Sequence, residues 1–103
     1  MFELHAGLCK ALADPTRLEI LNLLSKGETS VSELATMMKI RQATLSQHLA
    51  VLRQRNVVVT RKQGTTVSYK IANRKMVKAC NLIKEVLLEQ LESEGRIVKG
   101  AAK

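Results

Sequence analysis

Aromatic residues are almost missing from this 103-residue chain: Phe2 and Tyr69 stand alone, and there is no Trp. Any core must therefore be aliphatic, and a single-strand nucleic-acid binder that stacks bases on rings finds no platform here. Cysteine is confined to Cys9 and Cys80, too far apart for a C-x-x-C redox motif or a zinc ribbon. No stretch approaches the ~20 apolar residues of a transmembrane helix, and the N-terminus lacks the basic start and apolar core of a signal peptide. A cytoplasmic protein with reduced thiols is expected. Acid is missing from the middle of the chain. No Asp or Glu occurs between Leu34 and Lys84, a window that holds eleven of the seventeen Lys and Arg residues.

What is present has a single-domain size. A 46% hydrophobic content excludes disorder as the reading. A chain this small buries a limited share of its surface, and dimerisation often adds the rest. The net charge of +8 favours a polyanionic partner. Basic charge gathered in one window is expected of a surface that neutralises phosphates, and duplex DNA suits it best. Catalysis finds no support: the basic half has no carboxylate cluster, no Cys–His pair at useful spacing and no phosphate loop.

Periodicity divides the chain. Leu4, Leu8, Ala11 and Leu12 predict a first helix over residues 2–13. Asp14-Pro15 restarts the chain, with Asp as N-cap and Pro at the first helical position. The second helix runs to about Lys26 and is expected to bury Leu18, Ile20, Leu21 and Leu24, with Gly27 at a left-handed terminus. Ser30 to Glu33 spells the S-x-x-E capping box. A short third helix follows, with Val31, Leu34, Ala35 and Met38 inward. Lys39, Ile40 and Arg41 form a turn, and Gln42 opens a fourth helix to about Arg55 with Leu45, Leu49 and Leu52 inward. The period then changes from 3.6 to 2. Val57–Lys62 and Thr65–Ile71 predict a hairpin around Gln63-Gly64. Asn73 is the expected cap of a last helix over residues 74–92. Residues 1–92 are expected to form the DNA-binding and dimerisation domain, and residues 93–103 a flexible C-terminal tail.

The expected fold class is mainly α with a small β-hairpin. The third and fourth helices read as a helix-turn-helix and the hairpin as its wing. The second helix of such a unit enters the major groove. With the three leucines inward, helical geometry points Ala43, Gln47, Ala50 and Gln54 outward, flanked by Thr44 and Ser46; Ala43, Thr44, Ser46 and Gln47 are the candidate base readers. Gln47 leads them, because an amide can pair bidentately with adenine. Lys39, Arg41, Gln42, Arg53 and Arg55 are candidate backbone contacts, which position without carrying sequence information. Arg61, Lys62, Gln63, Gly64 and Thr65 make up the candidate wing contacts. Arg74, Lys75, Lys78 and Lys84 open the last helix and are left out of the contact set. His48, at the edge of the inward stripe, is expected to be a hydrogen-bonded structural residue rather than a base or metal contact. On the last helix, Met76, Cys80, Ile83 and Leu87 form an apolar stripe widened by Ala79, Leu82 and Val86. That is the signature of a helix in search of a partner.

The segments K-A-L-A-D-P-T-R-L-E-I-L (Lys10 to Leu21), V-S-E-L-A (Val31 to Ala35), Q-A-T-L-S-Q-H-L-A-V-L-R (Gln42 to Arg53) and T-T-V-S-Y-K-I (Thr65 to Ile71) resemble the ArsR/SmtB family of winged-helix repressors. The likeness covers about residues 7–92. It implies a homodimer formed by the first and last helices, bound to a palindromic operator and released by an inducer. R-Q-A-T-L-S-Q-H-L is most similar to the redox- and sulfide-responsive, BigR-like members. The family's C-x-C metal positions on the third helix are Ser30 and Ser32 here, and residues 73–90 contain no His or Asp for its zinc site. Those two metal sites are thus missing, and His5 has no evident partner cluster. Cys9 and Cys80 leave three alternatives: buried reduced thiols, a redox or reactive-sulfur sensor, or soft-metal ligands. The sulfide-responsive members place their first cysteine where this chain has Asn22, so their ligand assignment does not carry over. A non-specific architectural DNA-binding protein without an inducer is the alternative to the repressor.

Overall fold

The structure, a computed structural model, describes residues 1–96. Five helices and three strands follow in the order α1 (Phe2–Leu12), α2 (Pro15–Leu24), β1 (Thr29–Ser30), α3 (Val31–Met38), α4 (Gln42–Gln54), β2 (Val58–Gln63), β3 (Thr66–Ile71) and α5 (Arg74–Ser93). The result is a winged helix-turn-helix, mostly helical with one small antiparallel sheet.

Helix starts are set by local chemistry. The Asp14 carboxylate accepts from Arg17 N–H at 3.0 Å and Pro15 occupies the first turn of α2. Both halves of the capping box open α3. Ser30 Oγ accepts from Glu33 N–H at 3.2 Å, and Glu33 Oε1 accepts from Ser30 N–H at 3.3 Å. Asn73 caps α5 through Lys75 N–H at 2.9 Å. Each cap satisfies an N–H that the first helical turn leaves without a partner.

The core lies where α2, α3 and α4 meet the sheet. Ile20, Leu24, Leu34, Leu45, Leu49, Leu52, Val57 and Val58 are fully buried there, and Tyr69 and Ile71 close it from β3. Leu45, Leu49 and Leu52 recur at the helical period, so one face of α4 is fixed inward. The opposite face is left to solvent.

Four expectations need correction. Leu18 is exposed rather than buried, because its side of α2 faces a groove under α5 instead of the core. Gly27 has a positive φ of 148°, outside the left-handed helical region. The hairpin apex is Gly64-Thr65, one residue later than expected, since Gln63 still pairs with Thr66. Gly64 supplies the positive φ (63°) that a two-residue connection demands. The sheet also has a third strand: β1 joins the other edge of β3, pairing Thr29 with Tyr69 and Ser30 with Ser68. Of the expected tail, Ser93 closes α5 and Glu94 is its C-cap. Residues 97–103 lie outside the described residues.

α5 buries none of its residues fully. Leu82, Ile83, Val86 and Leu87 are 61, 61, 51 and 52% exposed. Phe2 and Leu4 of α1 are exposed as well, so Leu4 departs from the inward stripe expected of that helix. Exposed apolar surface of this extent on two helices marks an interaction face. Among the described residues, no helix is long and apolar enough to cross a membrane.

Candidate nucleic-acid interface

The turn between α3 and α4 is closed by backbone geometry. Lys39 adopts the left-handed conformation (φ 56°, ψ 43°), and Ile40 N–H reaches back to Ala35 O at 3.2 Å. Arg41 stands at the N-cap of α4 with extended backbone and no side-chain cap bond. The first-turn N–H groups of α4 thus lack a side-chain acceptor, as suits a helix end aimed at an anionic backbone.

Ala43, Thr44, Ser46 and Gln47 are all exposed on α4, as are Lys39, Arg41, Gln42, Arg53 and Arg55 around it. Gln42 and Ser46 also border a cleft of about 350 Å³ whose other walls include Ser32 at the start of α3 and Thr65 and Thr66 of the wing. The cleft joins the wing to the helix-turn-helix, so candidate contacts from the two segments face one space. Thirteen residues give α4 a length of about 20 Å, enough to lie along a major groove about 12 Å wide.

Two of the candidate arginines lie against other parts of the chain, and one of them is ion-paired. Arg61 lies on β2 opposite Ser68, short of the wing tip, and its guanidinium meets Glu28 Oε2 at 2.8 and 2.9 Å. An acid from outside the basic window therefore folds onto the wing. The Arg55 guanidinium lies close to Gly7 of α1: a Cβ added there would sit 2.7 Å from its Nη1. Lys62, Gln63, Gly64 and Thr65 remain exposed at the tip. Arg74, excluded from the contact set, donates to Ser25 O at 3.0 Å and ties α5 to the end of α2.

A polar network escaped the sequence reading. Arg17 Nε donates to Ala11 O at 2.6 Å and Arg17 Nη2 to Lys10 O at 3.3 Å, while Nη1 meets His48 Nδ1 at 3.3 Å. Arginine can only donate, so Nδ1 is the acceptor in this contact. Asp14 Oδ2 is 3.8 Å from the same Nδ1. The Arg17 N–H bond holds the Asp14 carboxyl below its ordinary range, aided by the Arg17 charge. The only signal in the sequence was Asp14 followed by Arg17 three positions later.

The two thiols are free. Cys9 is exposed on α1 and Cys80 half-buried on α5, and both line one apolar groove of about 290 Å³ between α1, α2 and α5. Asn22 borders the same groove. Ser30 and Ser32 hold their hydroxyls 3.3 Å apart, with Ser30 committed to the capping box. No group of three or more His, Cys, Asp and Glu side chains suited to a metal ion occurs among the described residues.

Comparison with known proteins agrees with this architecture. Residues 14–60 match the model of the bacterial regulatory protein, arsR family. The arsenical resistance operon repressor of Escherichia coli K12 is 38% identical over 103 residues, an alignment covering 99% of this chain and 88% of that protein. The biofilm growth-associated repressor of Agrobacterium fabrum is 46% identical over 68 residues, covering 66% of this chain but only 58% of its own length. Among solved structures, a homodimeric winged helix-turn-helix DNA-binding domain from Mycobacterium bovis superposes with a TM-score of 0.82. It is 35% identical, with 89% of this chain and 85% of that one covered. These relatives are regulators rather than enzymes. The chain belongs to the ArsR family of bacterial regulatory proteins.

Proposed function

We propose that this protein is a sequence-specific transcriptional repressor that binds a palindromic operator as a homodimer. The observation that carries the reading is the exposed polar face of α4. It stands opposite three fully buried leucines, beside the wing and within the acid-free window. Gln47 reads adenine, Thr44 and Ser46 serve a neighbouring base or phosphate, and Ala43 packs on a thymine methyl. Lys39, Arg41, Gln42 and Arg53 hold the backbones beside the recognition helix, and Lys62, Gln63, Gly64 and Thr65 do so at the wing. Arg55 joins them beside the recognition helix, whereas Arg61 contributes less, because Glu28 already pairs with it. Gln47→Ala tests this: operator affinity should fall by about 1–3 kcal/mol, with little change on a scrambled duplex. Equal affinity of the unaltered protein for both duplexes would leave the non-specific architectural protein as the better reading.

Release from DNA is proposed to run through the groove that Cys9 and Cys80 share. Two free thiols on one apolar groove, carried by different helices, support an inducer that joins or caps them: an oxidant, a reactive sulfur species or a soft metal. DNA binding should weaken at least tenfold under one of these treatments, and Cys9→Ser and Cys80→Ser should each abolish that response. Indifference to all three would make both thiols structural.

A further inference from the structure

We propose that Arg17 is a positioning residue for sequence readout: it fixes α4 in its reading orientation by tying His48 to the C-terminal carbonyls of α1. The inference rests on the base-reading role of α4 proposed above. Arg17 is the only side chain among the described residues whose hydrogen bonds reach both α1 and α4, meeting Ala11 O, Lys10 O and His48 Nδ1 at 2.6, 3.3 and 3.3 Å. Its own backbone is anchored, because its N–H caps onto Asp14 at 3.0 Å.

The leucine stripe cannot do this work alone. Apolar contacts are non-directional. Leu45, Leu49 and Leu52 decide which face of α4 is buried, but they tolerate a small rotation or slide. A guanidinium is a planar fork with donors in fixed directions. Held at one end by two carbonyls of α1 and at the other by His48, it removes that freedom. His48 directly follows Gln47, so a rotation of the helix that breaks the first contact also moves the amide that meets the base. Bidentate readout is lost with displacements of that size, whereas phosphate contacts through long, flexible lysines are not.

The same fork connects the groove to DNA. Cys9, Leu12 and Ala13 of the α1 end border the groove, and Lys10 and Ala11 between them carry the carbonyls that Arg17 holds. A shift of α1 against α2 therefore reaches His48 through one side chain.

The test compares four variants: Arg17→Lys, His48→Leu, their combination, and His48→Asn, whose amide oxygen can stand where Nδ1 stands. The probes are a duplex selected from a randomised pool by the unaltered protein and a scrambled duplex of equal length, at one salt concentration. Arg17→Lys and His48→Leu should each cut the selected-to-scrambled affinity ratio by about tenfold, the loss of one hydrogen bond to a charged group. The double variant should lose about tenfold and not a hundredfold, since both changes break one contact. His48→Asn should retain the ratio. An unchanged ratio in the single variants, additive losses, or an equal fall on both duplexes with a lowered Tm would overturn the positioning role. If the unaltered protein selects no common sequence, the base-reading proposal fails first and this inference falls with it.

Discussion

Lys39 combines two demands that pull apart. It ends α3 with φ 56° and ψ 43°, a conformation in which glycine is unstrained and other residues are not. It also stands, exposed, at the entrance of α4. If lysine is there for its charge, removing it should stabilise the fold and weaken DNA binding together. Lys39→Gly is expected to raise unfolding free energy by about 0.5 kcal/mol, after the greater freedom of glycine in the unfolded chain is subtracted. Affinity should fall by a similar factor on specific and scrambled duplexes, as for any phosphate contact. Denaturant melts and titrations on both duplexes check the two halves separately. A stabilised variant with unaltered affinity would take Lys39 off the contact list. Leu45 and Leu49 make the contrast: each is fully buried, and truncation to Ala should cost about 2–5 kcal/mol and remove DNA binding only through loss of fold.

At the scale of elements, α5 is the helix that the protomer leaves unfinished. It runs from Arg74 to Ser93 without one fully buried residue, and Ile83 and Leu87 share its exposed apolar side. Burying side chains of this size contributes about 1.5–3 kcal/mol each, which a second protomer can supply. Leu87→Glu places a charge on that face while leaving the α2–α3–α4 core untouched. It should give a folded monomer by sedimentation, with helical content retained and affinity for a palindromic duplex reduced at least tenfold. A dimer of unchanged stability would move the interface elsewhere. The α5 stripe was legible because it repeats at the helical period, as were the helix starts at Asp14, Ser30 and Asn73, where the capping chemistry is written within four residues. What was not legible depended on distant partners. Thr29 and Ser30 form a strand only because Tyr69 and Ser68 lie beside them. Leu18 falls on an apolar position of a ten-residue helix, and periodicity there cannot separate core from groove. Arg17 takes on a role only where the fold brings α1 and α4 within its reach. Glu28 likewise reaches Arg61 only once β2 has folded back past it.

For the whole molecule, the question is how much of the basic window meets DNA. Its eleven cations are not equivalent in space. Lys39, Arg41 and Arg53 flank α4 and Lys62 stands near the wing tip, whereas Arg61 is paired with Glu28, Arg74 is bound to Ser25, and Lys75, Lys78 and Lys84 lie on α5. Counterion release distinguishes these groups, because log K falls with log salt by about 0.9 for each phosphate neutralised. Replacing one contacting cation in each half of a dimer should lower the slope by about 1.8. Arg41→Gln and Lys62→Gln are expected to approach that value. Lys78→Gln should leave the slope unchanged. Arg61→Gln should fall between them, since the arginine it removes is already partly neutralised and frees Glu28 when lost. Affinities measured over a range of salt concentrations give all four slopes under identical conditions. A Lys78→Gln slope as low as that of Arg41→Gln would mean that charge alone, without orientation, governs binding, and the division of the window between α4, wing and α5 would fail.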